Sequence, residues 1–136
     1  MNSPIEIDHL GIAVSSLDEG LRFYQALGLT VSHRETVAAE QVSVAMLPAG
    51  PEPSSPRIEL LEATAEDSVI AKFIQKRGPG LHHIALRVDN LDAAVQKLKG
   101  EGARLLNEPK RGAGGHLYVF VHPVSTGGVL LELIQK

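Results

Sequence analysis

Apolar positions along this chain fall into short runs whose spacing changes, and the changes mark the elements. "IEIDHLGIAV" is dense in branched apolar residues and short enough for a strand, whereas "SSLDEGLRFYQALGL" sets Leu17, Leu21, Tyr24 and Leu27 at helical spacing. Ser15 or Ser16 can cap the start of that helix, and Gly28 falls where a left-handed stop belongs. "VSHRETV", "QVSVAMLP" and "RIELLEAT" read as three short strands, and the Pro- and Ser-rich "PAGPEPSSPR" between the last two reads as an exposed loop. "DSVIAKFIQKRG" predicts a short helix capped by Asp67 or Ser68, followed by a Gly78-Pro79-Gly80 connector.

The second half then repeats the first. At a constant offset of 74, His9 lies on His83, Ile12 on Leu86, Val14 on Val88, Leu17 on Leu91, Asp18 on Asp92, Leu21 on Val95 and Gly28 on Gly102. "VLLELIQ" matches "RIELLEA" at an offset of 73, which sets Glu132 on Glu59. Two copies of a strand, helix, three-strand unit, about 5–64 and 79–136, predict a single domain over 1–136. One copy alone buries too little to be stable, so the two are expected to pack about a pseudo-twofold axis.

Composition narrows the chemistry. The 136 residues contain no cysteine, which removes disulfides, thiolate metal sites and a Cys nucleophile, and points to the reducing cytosol. A net charge of -3 with a pI near 6.0 and few aromatic residues gives no general attraction to nucleic acid. "MNSPIEIDHLGIAV" lacks the pattern of a signal peptide, and no window approaches the roughly 20 apolar residues of a membrane span. The expected protein is cytoplasmic, with neither membrane nor nucleic acid as partner.

Strand alternation sorts the polar residues. His9, Gly11 and Ala13 share one face; in the second copy His83, Ala85 and Arg87 share a face, opposed by His82, Ile84, Leu86 and Val88. His83 is therefore the expected ligand of the "HH" pair, and His82 a packing residue. Glu59 and Glu132 each sit inside an apolar strand, where an unpaired charge costs several kcal/mol. Two His and two Glu converge if the strands curl into facing half-barrels. They would suit a divalent metal such as Zn, Co, Ni, Mn or Fe, which would neutralise the carboxylates. Ion pairs with Arg57 or Arg87 are the other compensation open to the glutamates, but they leave the repeat unexplained.

The succession "IDHLGIAV", "FY", "LG", "IELLE", "GLHHIALRV", "LD" and "HP…GGVLLEL" resembles the vicinal oxygen chelate superfamily over nearly the whole chain. Within it, "DSVIAKFIQKRGPGLHHIALRVDNLDAA", "NEPKRGAGG" and "FVHPVSTGGVLLEL" are most similar to methylmalonyl-CoA epimerases. The resemblance implies an α+β fold of two paired βαβββ modules forming a cupped, half-barrel mixed sheet. It further implies one divalent metal per chain (Co, Zn, Ni, Mn or Mg) on His9, Glu59, His83 and Glu132, and a homodimer.

The implied reaction interconverts (2R)- and (2S)-methylmalonyl-CoA through an enolate, and it needs a proton carrier on each face of the reacting carbon. Glu132 matches a family base that is also a ligand. The best-known bacterial pattern has a second glutamate on the strand aligned with "VSVAM", where this chain has Val44. Glu59 stands where that pattern has a glutamine ligand, so it is the expected second catalytic carboxylate. Gln41, Lys110 and Arg111 are candidate acyl-CoA contacts, the two cations toward phosphates. His33 and His116 are expected at the surface or cleft, and His122 in a structural or rim role. A glyoxalase I type lactoylglutathione lyase, a non-catalytic small-molecule-binding protein and a three-ligand iron dioxygenase are the alternatives on the same scaffold.

Overall fold

Each predicted helix start is realised by a side chain that satisfies an otherwise orphaned backbone N–H. Ser16 accepts from the Glu19 N–H at the head of α1 (Leu17–Leu27), Ser68 from Ala71 N–H at α2 (Val69–Arg77), and Asn90 from Ala93 N–H at α3 (Leu91–Gly100). Gly28 ends α1 in the left-handed region at φ 116°. The computed structural model describes residues 5–136; residues 1–4, part of the stretch read above for a signal peptide, lie outside the described residues. Among the described residues, no helix is long and apolar enough to cross a membrane.

The chain divides into two units. One comprises His9–His82. Its strands, β1 (Glu6–Ala13, whose first three residues lie in the other unit), β2 (His33–Val37), β3 (Val42–Pro48) and β4 (Arg57–Ala63), follow the spatial order β2-β3-β4-β1, with β1 parallel to β4 and the other pairs antiparallel. Leu17 and Leu21 of α1 pack on Ala45, Leu47 and Leu60, with Ile12 and Ile58 beside them. That apolar layer uses one face of β1, β3 and β4, so the alternating positions of these strands are turned to the other face.

The second unit joins the residues up to Asp8 with His83–Lys136. Its strands are β5 (Gly80–Val88, whose first three residues lie in the other unit), β6 (Lys110–Arg111), β7 (Leu117–Val121) and β8 (Leu131–Gln135). The order is β5-β8-β7-β6, with β5 parallel to β8 and the remaining pairs antiparallel. Leu91 and Val95 of α3 pack on Val88, Val119, Val121 and Leu133. The repeat thus extends to pairing register: Gly11 lies beside Glu59, and their counterparts Ala85 and Glu132 lie beside each other.

The copies differ at their second strand, β2 in one and β6 in the other. β6 has only two residues, joined by a lone bridge between Leu105 and Val121. Pro109 has no N–H to give a ladder, and Asn107 takes over part of the edge by accepting from Phe120 N–H and donating to the Tyr118 carbonyl. In the same unit the 1 %-exposed Asp8 carboxylate is met by Lys136 Nζ at 3.0 Å and Arg87 Nη1 at 3.5 Å, while Arg87 Nη2 reaches Glu6 at 2.6 Å.

Candidate functional site

The face of each sheet not covered by its helix carries a histidine and a glutamate. In the first unit, register places His9, Gly11 and Ala13 alongside Arg57, Glu59 and Leu61, and these alongside Pro48, Met46 and Val44. Gly11 has no side chain to set against Glu59, so His9, two residues earlier, leans diagonally into the space. His9 Nε2 stands 3.3 Å from Glu59 Oε1, with His9 2 % and Glu59 4 % exposed. In the second unit Ala85 leaves the corresponding room beside Glu132, and His83 Nε2 stands 3.1 Å from Glu132 Oε1. His83 is 4 % and Glu132 8 % exposed.

Imidazole nitrogen and carboxylate oxygen are suitable donors for a divalent ion. Two such donors at bonds of about 2.1 Å on adjacent coordination positions lie roughly 3.0 to 3.4 Å apart. The separations of 3.1 and 3.3 Å fit that requirement, as does the burial of four groups that would otherwise be expensive to leave without compensation. Of the two arginines that offered the glutamates an alternative compensation, Arg87 meets Glu6 and Asp8.

His82 faces away from His83, as alternation requires, and its ring stands edge-on to Phe73 of α2 with centroids 4.9 Å apart. Gln41, a non-glycine residue with positive φ (53°), donates from Nε2 to Asp67 and accepts from Thr64 N–H through its carbonyl. These bonds tie the entry of β3 to the approach of α2. Lys110 and Arg111 are exposed; Lys110 Nζ lies 5.7 Å above the Tyr118 ring, and Arg111 donates to the Gly115 carbonyl. His122 Nδ1 accepts from Val124 N–H, and His33 Nε2 meets Glu35 at 2.7 Å on an exposed strand.

Sequence reasoning passed over two aromatics. Phe120 lies directly opposite Glu132, its ring edge-on to His83 at 5.4 Å, and Tyr118 stands behind it at 5.6 Å and 77°. Gly112 lies close against Tyr118, where a Cβ would stand 2.7 Å from Cε1. The signal was present: alternation along "LYVFV" separates Tyr118 and Phe120 from the core-facing Leu117, Val119 and Val121.

Comparison with known proteins places the chain in a family. The profile of the Glyoxalase/Bleomycin resistance protein/Dioxygenase superfamily matches residues 8–120. The chain is 41% identical over 132 residues to the mitochondrial methylmalonyl-CoA epimerase of Homo sapiens, covering 95% of this chain and 73% of that protein. It is 36% identical to an ethylmalonyl-CoA/methylmalonyl-CoA epimerase of Cereibacter sphaeroides, covering 95% and 96%. A solved structure of a Streptomyces coelicolor methylmalonyl-CoA epimerase variant, in complex with 2-nitronate-propionyl-CoA, matches with a TM-score of 0.93 at 38% identity, covering 98% of this chain and 99% of that one. A probable lactoylglutathione lyase of Synechocystis sp. is more distant, at 28% identity.

Proposed function

Because the chain belongs to the Glyoxalase/Bleomycin resistance protein/Dioxygenase superfamily, with its fold of paired βαβββ modules, we propose that it is a methylmalonyl-CoA epimerase. The observation that carries the reading is the buried His–Glu pair repeated in each module of a chain 36% and 41% identical, over 95% of its length, to two such epimerases.

His9, Glu59, His83 and Glu132 would together hold one divalent ion per chain. When bound, such an ion supplies Lewis-acid stabilisation of the negative charge that develops on the thioester oxygen. The chain's own residues perform the proton transfers. The Glu132 carboxylate takes the C2 proton, the C–H electron pair passes into the thioester carbonyl, and a planar enolate results. Protonated Glu59, the pseudo-symmetric mate of Glu132, returns a proton to the opposite face and so inverts the centre. Burial of both carboxylates keeps bulk water from competing for these transfers.

On this reading residues 1–136 act as one domain built of the repeats 5–64 and 79–136. Lys110 and Arg111, both exposed, meet phosphates of the CoA arm, and Gln41 lies near the substrate. The protein works in the cytoplasm as a homodimer, an assembly that sedimentation equilibrium tests directly.

The deciding experiment incubates metal-loaded protein with methylmalonyl-CoA in heavy water and follows C2 by mass spectrometry. Deuterium enters C2 as the epimers interconvert. Absence of exchange, with turnover of a glutathione hemithioacetal instead, replaces the reading with that of a lactoylglutathione lyase.

A further inference from the structure

The second unit presents one open apolar surface beside Glu132. On the face that carries His83 and Glu132, the neighbouring apolar residues Ala85, Tyr118 and Ile134 are buried, and Phe120 alone of this cluster keeps part of its ring open. Register makes the relation close: Phe120 and Glu132 are direct cross-strand partners, whose Cβ atoms lie about 4.5–5.5 Å apart. Any carbon whose proton the Glu132 carboxylate can reach is therefore near the Phe120 ring.

We propose that Phe120 is the wall that receives the alkyl group on the reacting carbon, and that it sets the largest 2-alkylmalonyl thioester the protein will epimerise. The inference rests on the epimerase reading and deepens it. The alkyl group is attached to the carbon that surrenders its proton, so it shares the neighbourhood of Glu132. An apolar group there loses water favourably against an aromatic ring and unfavourably against the carboxylate.

The wall is held rather than yielding. One neighbour of Phe120 is the His83 ring, edge-on at 5.4 Å, and another is Tyr118 at 5.6 Å. Tyr118 is in turn buried and packed against the Gly112 backbone. A fixed aromatic surface discriminates against one added methylene by roughly 10- to 200-fold, whereas a soft one repacks and does not.

The test compares methylmalonyl-CoA with ethylmalonyl-CoA by deuterium incorporation at C2, using wild type, Phe120→Leu and Phe120→Ala. Taking the ratio of kcat/KM for the two thioesters on the same preparation cancels any change in metal occupancy or folded fraction. The ethyl-to-methyl ratio is expected to rise about 10-fold in Phe120→Leu and toward about 100-fold in Phe120→Ala. If Phe120→Ala does not fold, Phe120→Leu carries the test. A ratio equal to that of wild type in the active variants overturns the wall while leaving the epimerase intact. Lack of exchange by wild type with methylmalonyl-CoA overturns the epimerase reading, and the wall with it.

Discussion

His83 Nε2 and Glu132 Oε1 approach to 3.1 Å from neighbouring parallel strands, a contact that depends on Ala85 leaving space between them. A larger residue at 85 would fill that space and push the two groups apart. In isothermal titration with Zn or Co, the wild-type chain is expected to take up one equivalent and His83→Ala none. Metal at about 100-fold above its Kd should add roughly 2.7 kcal/mol to wild-type stability and nothing to the variant's.

Glu59→Gln separates holding a metal from moving a proton. An amide oxygen can still ligate, but it cannot accept and return a proton at this site. The variant should keep its metal, measured by elemental analysis, and lose about 100-fold or more in epimerisation rate. Full activity would transfer the second proton-transfer role to another residue.

His82 and His83 should respond in opposite ways. His82 makes an edge-on contact with Phe73, so His82→Ala is expected to cost about 1 kcal/mol in urea denaturation and leave metal uptake unchanged. Loss of metal from His82→Ala with retention in His83→Ala would mean that β5 is shifted by one residue.

Two helix starts borrow a side chain from a strand of their own unit. Glu62 accepts from Leu17 N–H at 2.6 Å, and Gln135, its counterpart in the second copy, accepts from Leu91 N–H at 2.8 Å. Glu62→Ala and Gln135→Ala should each cost about 1 kcal/mol, the Glu62 part falling with added salt because a charge there also meets the helix dipole. The double variant should show the sum, since the sites share no partner.

What was legible in the sequence follows from what repeats. His9, His83, Glu59 and Glu132 stood out because two modules hold them in the same register, and alternation then told His83 from His82. Capping chemistry likewise located the first two helices, where Ser16 and Ser68 are the caps that form, and the repeat located the third, whose Asn90 cap went unread. Alternation along "LYVFV" could have set Phe120 on the face opposite the core, but its pairing with Glu132 arises only through the β7–β8 register, which no local pattern encodes. Asp8 was hidden for a related reason: its cations, Arg87 and Lys136, lie far along the chain. The shortness of β6 escaped because the repeat predicts a full strand where Pro109 and the glycines after Arg111 prevent one.

The pairing of Asp8 with Lys136 also bears on the order in which contacts can form during folding. The two residues are far apart along the chain, and closing a loop of that length is entropically costly. Arg87, which meets the same carboxylate, is 79 positions away. The start of the first strand is thus fastened by non-local contacts, which places its docking among the slower steps of folding.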